Sequence, residues 1–225
     1  MGGHIDLYLD IGAVNAASGN KPPWTLPAKA VYGVHDSQRS LRAVGLSNVS
    51  APGDLMQAGR TIVPLRALLY IKSQYPAATY LATWRALFHA FWTLHQPPIT
   101  PEALEQTLAS IPAGTNFASS SPPETLGKGR EEEGRRLFSA EEVAAILRAE
   151  KSVEYKNTLR ETTQRALDQG AFGAPWLWVT SAATGESEPF FGSDRWSHVY
   201  AFLGLPYQDV ELLPPGAAKG SQAKL

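Results

Sequence analysis

Cysteine is absent from the 225 residues. That excludes a disulfide framework, a Cys-x-x-Cys redox pair, a thiolate nucleophile and a Cys-ligated zinc site. An excess of one charge is lacking too. The 20 Lys+Arg stand against 21 Asp+Glu, a formal net charge of −1, so no basic field gathers nucleic acid or anionic lipid. No apolar run reaches the ~18–20 residues a membrane helix needs, because Arg85 and His89 interrupt the greasiest stretch. The start, MGGHIDLYLD, has neither the basic n-region nor the long apolar core of a secretory signal. The expectation is a soluble intracellular protein of one domain, or one domain with a sizeable insertion, that engages neither nucleic acid nor membrane.

The common catalytic signatures are missing as well. His4, His35, His89, His95 and His198 are scattered, and none falls in a metal-ligand spacing, so no metal is expected. His89 and His95 sit in RALFHAFWTLH, where a packed or solvated histidine is the simpler reading. There is no G-x-S-x-G elbow, no Walker loop and no G-x-G-x-x-G. The nearest glycine cluster, GKGREEEG, is charged linker.

What is present orders itself along the chain. In HIDLYLDI, residues 4–11, Ile5, Leu7, Leu9 and Ile11 alternate with polar neighbours, the period of a strand. The Gly and Pro of NAASGNKPPWTLPAK argue against regular structure over 18–27. Residues 54–95 read helical, with Leu55, Val63, Leu65, Leu68, Leu69 and Ile71 on one stripe. Beyond Pro76, Tyr80, Trp84, Leu87, Phe88 and Phe91 make a second. Thr100–Pro101 reads as an N-cap with proline at the first helical position. From 111 to 137 Gly, Ser, Pro and charge dominate, too little apolar surface to offset the entropy of ordering, and the expectation is a disordered insertion at about 112–137. Ser139 with Glu141 and Glu142 reopens helix, which runs to about Gln169 and stops at Gly170. WLWVT and EPFF read as strands joined by a turn at ATGES, and a last helix is expected from Ser193 to Leu203.

Two segments carry chemistry. SGNKPP, residues 18–23, is followed by Lys29; GAFGAP, residues 170–175, is followed by FGSDR, residues 191–195. Pro175 cannot donate to a ladder, so it is either the first residue of a strand or part of a cis turn. In a cis turn the N–H and C=O of Ala174 face outward, open to a peptide-like ligand. The N-terminus of a helix after FGSDR favours an anion; read more simply, Ser193 is an N-cap and Asp194 compensates the helix dipole.

Taken together, SGNKPPWTLPAK, KNTLRETTQRALDQGAFGAP and FGSDRW resemble the kappa-class glutathione transferases, in the family's order and over most of the chain outside 111–138. The resemblance implies an α/β fold, a thioredoxin-like domain interrupted by an all-helical insertion domain, related to DsbA and to 2-hydroxychromene-2-carboxylate isomerases. On that pattern the thioredoxin-like domain is discontinuous, 4–48 and 152–210. The helical domain is 52–150, and 211–225 is a flexible tail. The resemblance implies glutathione as co-substrate, held by Asn20, Lys29, Ala174, Pro175, Ser193 and Asp194. Asn20 and Lys29 would hold the peptide from the loop side, and Ala174 would pair main chain with the cysteinyl unit beside a cis-Pro175. Ser193 and the helix N-terminus would take the γ-glutamyl carboxylate, and Asp194 its ammonium.

One departure stands out. The family's Ser-Pro-Tyr-Ser-type segment, whose serine faces the glutathione sulfur, has no counterpart here, since IDLYLDI runs directly into GAVNAASGNKPP. The junction Ile11–Gly12 reads as a deletion, and no catalytic residue is assigned; Tyr8 and Ser18 are the nearest hydroxyls in sequence. The implied activity is conjugation of glutathione to a small electrophile by a homodimer. The alternatives are a glutathione-dependent isomerase of the 2-hydroxychromene-2-carboxylate type and a glutathione-binding pseudoenzyme. The ending Ala223-Lys224-Leu225 approaches the S-K-L peroxisomal signal, so an import receptor is an expected partner and the peroxisome the expected location, with cytoplasm or mitochondrion as alternatives.

Overall fold

The computed structural model describes residues 10–114 and 135–207, a helix-rich α/β chain. These residues fall into two compact units divided between Gly173 and Ala174.

The described part of the larger unit is helical. Its elements are α1 (Ile11–Ser18), a 3-10 turn (Pro23–Thr25), α2 (Pro27–Ala43), α3 (Leu55–Ala58), α4 (Ile62–Gln74), α5 (Ala77–Trp92), α6 (Pro101–Ser110), α7 (Ala140–Lys151) and α8 (Val153–Asp168). The core gathers around α4, whose Ala67, Leu68 and Ile71 pack with Leu104 and Leu108 of α6, Ile146 of α7 and Leu159 of α8. Local chemistry sets the helix starts. Thr100 accepts from the Ala103 N–H at 3.2 Å with Pro101 behind it. Ser139 and Glu142 close a reciprocal capping box at 3.2 and 2.8 Å. Gly170, at φ 89°, follows the end of α8, where the left-handed conformation suits glycine.

Four expectations need correction here. Residues 4–9 of the expected first strand lie outside the described residues, but its last two do not extend it. Asp10 caps α1, its carboxylate accepting from the Ala13 N–H at 3.2 Å, and Ile11 begins that helix. An N-cap acid supplies a partner for an orphan helix donor, which outweighs the alternation of the preceding residues. The stretch 18–27, expected to be irregular, holds one 3-10 turn started by Pro23. The second apolar stripe is not all core: α5 buries Ala82, Thr83, Leu87 and Ala90, whereas Phe88 stays 47% exposed and stacks on Trp84 at 4.1 Å. The edges of the expected disordered insertion are ordered. Pro112 bridges Arg136, the Ala113 N–H donates to the Arg135 carbonyl at 2.9 Å, and Ile111 and Phe138 are each 2% exposed. Two buried apolar anchors hold that stem closed; residues 115–134 lie outside the described residues.

The smaller unit holds a hairpin and a helix: β1 (Trp176–Thr180), β2 (Ser187–Phe191) and α9 (Trp196–Phe202). The strands pair antiparallel, Leu177 opposite Phe190 and Trp178 opposite Pro189. The Gly192 N–H donates to the Pro175 carbonyl at 3.1 Å, and that of Ser181 to the Glu186 carbonyl at 2.9 Å. These two pairs are hydrogen-bonded, so the Trp178–Pro189 pair between them is of the alternate, non-bonded kind. The missing N–H of Pro189 therefore costs no ladder bond. The turn at Ser181–Glu186 closes on the Ser181 hydroxyl, which accepts from Thr184, and on Gly185 at φ 75°. Val199 of α9 is buried, and Phe202 meets Phe190 at 5.8 Å. α9 begins at Trp196, three residues later than expected from Ser193.

Candidate functional site

The residues singled out in the sequence divide between the two units. Asn20 and Lys29 belong to the larger; Ala174, Pro175, Ser193 and Asp194 belong to the smaller.

In the larger unit, α1 ends at Gly19, φ 73°, and the chain then turns through SGNKPP. The Asn20 amide fastens that turn. Its Nδ2 donates to the Phe172 carbonyl at 2.7 Å, and its Oδ1 accepts from the Lys21 N–H at 2.9 Å. An Asn side chain has two donor hydrogens and two lone pairs, so one of each is left for a ligand. Ser18 is differently placed. Its hydroxyl donates to the Val14 carbonyl at 2.8 Å and lies 3.4 Å from the Phe172 carbonyl, while accepting from the Asn20 N–H at 3.3 Å. The hydroxyl hydrogen is thus committed to backbone and not free to meet a thiolate. Tyr8, the other nearby hydroxyl in sequence, lies outside the described residues. Lys29 is exposed in the first turn of α2, which carries no acid and no side-chain cap. Its ammonium has no ion-pair partner among the described residues.

In the smaller unit the pairing register does the assembling. Ala174–Pro175 is a cis peptide bond, and the Gly192 N–H to Pro175 carbonyl bond closes the hairpin at its open end. Ala174 and the Ser193–Asp194 pair therefore emerge at the same end of the ladder, although far apart in sequence. Ala174 is exposed, and neither its N–H nor its C=O has a hydrogen-bond partner among the described residues.

The expected cap at Ser193 is not formed. Arg195 occupies the N-cap position of α9 and makes no side-chain cap bond, so Ser193 and Asp194 belong to the turn before the helix. Two turn residues and an arginine separate the end of β2 at Phe191 and Gly192 from Trp196, which delays the first helical φ/ψ. Asp194 instead pairs with its neighbour: the Arg195 Nη1 donates to Asp194 Oδ2. Gly192 is the platform of this turn. Its φ is 107°, and a Cβ there would stand 2.7 Å from Asp194 Oδ1 and 3.9 Å from Arg195 Cγ. Arg195 completes the FGSDR motif, and its place directly beside Asp194 is the one signal the sequence offers for it.

A groove of about 540 Å³ opens beside this turn, lined by Pro189, Phe190, Phe191, Arg195, His198 and Phe202, with Glu188 also on its wall. Two groups of the larger unit, among the described residues, are displaced from ordinary titration. Tyr75 is raised by burial and by the nearby Glu142 and Tyr70, and Glu102 is lowered. Neither is among the residues singled out.

No protein-family model matches the chain. A Caenorhabditis elegans protein named glutathione S-transferase kappa 2 is 36% identical over 87 residues, 33% of this chain and 39% of that protein. A second protein of that organism, glutathione S-transferase kappa 1, is 23% identical over 205 residues, 90% of this chain and 77% of its own. The Homo sapiens glutathione S-transferase kappa 1 is 27% identical over 208 residues, 89% of this chain and 79% of that one. The solved structure of a 2-hydroxychromene-2-carboxylate isomerase superposes with a TM-score of 0.60 at 19% identity, covering 87% of this chain and 77% of that one, a likeness of fold.

Proposed function

The chain is a relative of the kappa-class glutathione S-transferases, and from that premise we propose that it binds glutathione and conjugates it to small electrophiles. In the reaction the thiol loses its proton to solvent, and the sulfur lone pair forms a carbon–sulfur bond. The electrophile's leaving group departs with its bonding electrons, or a strained ring opens. A free thiol of pKa ~8.5 is mostly protonated at neutral pH, so deprotonation is the step a protein can assist. No side chain among the described residues is assigned to it.

The observation that carries the reading is the shared end of the hairpin. The register brings an unpaired peptide group at Ala174 to the same end as a hydroxyl and a carboxylate at Ser193 and Asp194. An extended peptide with an amino-acid terminus matches that array. Ala174 exchanges main-chain hydrogen bonds with the cysteinyl unit beside Pro175, Ser193 bonds the γ-glutamyl end, and Asp194 receives its ammonium. Asn20, which keeps one donor and one acceptor, and Lys29, whose ammonium has no ion-pair partner among the described residues, are proposed for the ligand separately, each tested by its own substitution.

Titration calorimetry with glutathione checks this directly. Asp194→Ala is expected to weaken binding by about 1–3 kcal/mol, the scale of a charge-assisted hydrogen bond. The thermal melt should hold, because Asp194 is 71% exposed and caps no helix. A lowered melt with unchanged affinity would remove Asp194 from the site. The likeness to an isomerase fold favours one second reading, in which the thiol adds to the substrate and is expelled unchanged. Mass spectrometry separates the two, since conjugation consumes glutathione and isomerisation returns it. Saturable binding with neither product is the mark of a pseudoenzyme.

The homodimer and the peroxisomal address are further proposals. Sedimentation velocity tests the first. For the second, Ala223, Lys224 and Leu225 lie outside the described residues. A fluorescent protein fused ahead of the chain should give peroxisomal puncta that a fusion after Leu225 abolishes; diffuse signal from both removes the address.

A further inference from the structure

We propose that α2 docks on an anionic lipid surface, its apolar row in the headgroup layer and its arginines against lipid phosphates. The inference goes beyond the glutathione reading and does not depend on it.

α2 is a helix that its own unit leaves in the open. None of its 17 residues is buried, and the described element it chiefly touches is the 3-10 turn before it. A helix of this length owes most of its stability in a protein to the packing of an apolar face, and Gly33 lowers its intrinsic propensity. Such a face exists on the outside. Pro27, Val31, Val34 and Leu41 recur at helical spacing along one row. Val31 is 68% and Val34 63% exposed. Just ahead of the helix, Leu26 and Trp24 are open as well.

Positive charge runs beside that row. His35, Arg39 and Arg42 share the helical spacing and flank it on one side. Both arginines are exposed, and neither has an ion-pair partner among the described residues. Asp36, the only acid in α2, falls on the far side of the helix, where it accepts from the Tyr32 hydroxyl at 3.3 Å. The near balance over the whole chain, a net −1, conceals this local excess.

Charge decides the occupant. A second copy would bring the same arginines and no acid to this side of α2, so they would gain no partner. A bilayer with acidic headgroups supplies both halves of the match, phosphates for the guanidinium groups and an apolar boundary for the valines. The shape agrees. An unburied helix is a ridge and not a groove, and a ridge with an apolar row sinks about 5–10 Å into the headgroup boundary. Trp24 is the kind of amphipathic ring that settles at that level. With Asp36, Arg39 and Arg42 among its 17 residues, α2 lies on a bilayer and does not span it.

The test is co-sedimentation of the full chain with vesicles of phosphatidylcholine alone and of phosphatidylcholine mixed with phosphatidylserine. The mixed vesicles should be bound at least about tenfold more tightly. Arg39→Gln and Arg42→Gln together should weaken that binding about 20-fold, at roughly fivefold for each basic residue near the surface. Added salt should weaken the unaltered chain and barely move this double variant. Val31→Gln with Val34→Gln should cost about tenfold, through lost apolar burial. Val153→Gln, at a residue 71% exposed on α8, is the control and should bind as the unaltered chain does. Circular dichroism checks each variant, and both valines of α2 are too exposed for their loss to open the core. Equal binding to the two kinds of vesicle, binding to neither, or a loss with Val153→Gln as large as with the α2 valines would overturn the proposal. Sedimentation velocity distinguishes the other occupant. A dimer that Val31→Gln with Val34→Gln turns into monomer would place a second copy on this face and overturn the lipid assignment. Calorimetry should find glutathione affinity unchanged in the arginine double variant, so this inference and the glutathione reading fail separately.

Discussion

At Gly192 one missing methyl decides where two charges sit. Its φ of 107° is open to glycine, and the carboxylate of Asp194 occupies the space a Cβ would take. Gly192→Ala should therefore cost about 1–3 kcal/mol of stability in backbone strain and also weaken glutathione by displacing Asp194. Gly185, at φ 75°, has nothing within reach of a Cβ. Gly185→Ala carries the strain without the displacement, so its melt should fall while its affinity holds. Equal losses of affinity in the two variants would show that hairpin stability, and not the placement of Asp194, controls binding. The same turn marks what a sequence conceals at this scale. FGSDR announces a polar turn near a helix start, but which residue becomes the cap depends on where the strand lets go. Here the helix waits until Trp196, and Ser193 stays in the turn before it.

Elements whose signals are local were legible. Thr100 and Ser139 mark the starts of α6 and α7 because a hydroxyl three residues ahead of a free N–H is a short-range device. The strands WLWVT and EPFF, the second of which starts one residue earlier at Ser187, their turn, and the stop at Gly170 are readable for the same reason. α2 was not. Its 17 residues bury none of their number, so it has no core-facing stripe to betray it, and Gly33 lowers its propensity further. The α6 start also makes a prediction in pH. The Glu102 carboxylate is held below its ordinary 4.5 by hydrogen bonds from its own backbone N–H and from the Thr100 hydroxyl, helped by Lys151. A group depressed on folding adds stability that is present above its unfolded pKa and lost as the pH falls through its folded one. Glu102→Gln should therefore melt below the unaltered protein at pH 7, and the two melts should converge in acid, as the pH falls through the lowered pKa of the folded protein. A gap that persists in acid would mean that the substitution acts through packing.

At the scale of the whole chain, the two units differ in how far the sequence revealed them. The apolar stripe of α4 predicted the centre of the helical unit, since Leu68, Leu69 and Ile71 recur at helical spacing and are buried as expected. The assembly at the end of the hairpin depends on strand register, which joins Pro175 to Gly192 and which no local pattern of residues spells out. The insertion expected at about 112–137 lies between these cases, because its described edges form a closed stem that composition did not announce. That stem carries the last prediction. Ile111 and Phe138 are buried on either side of it, Pro112 bridges Arg136, and the Leu137 N–H donates to the Ile111 carbonyl at 2.8 Å. Arg136 adds a bond from Nη1 to the Ser110 carbonyl at 2.8 Å. The chain thus leaves and re-enters the helical unit as an antiparallel pair, and such a pair is spanned by a loop of about two to five residues. Replacing residues 115–134 by about four Gly and Ser residues keeps every one of these contacts. Loop-closure entropy varies slowly with length, and the shorter loop gains about 1 kcal/mol. The shortened protein should melt at or slightly above the temperature of the full chain and bind glutathione unchanged. A melt lowered by several degrees would show that the replaced residues contribute contacts to the folded protein, and a loss of glutathione binding alone would assign them to the site.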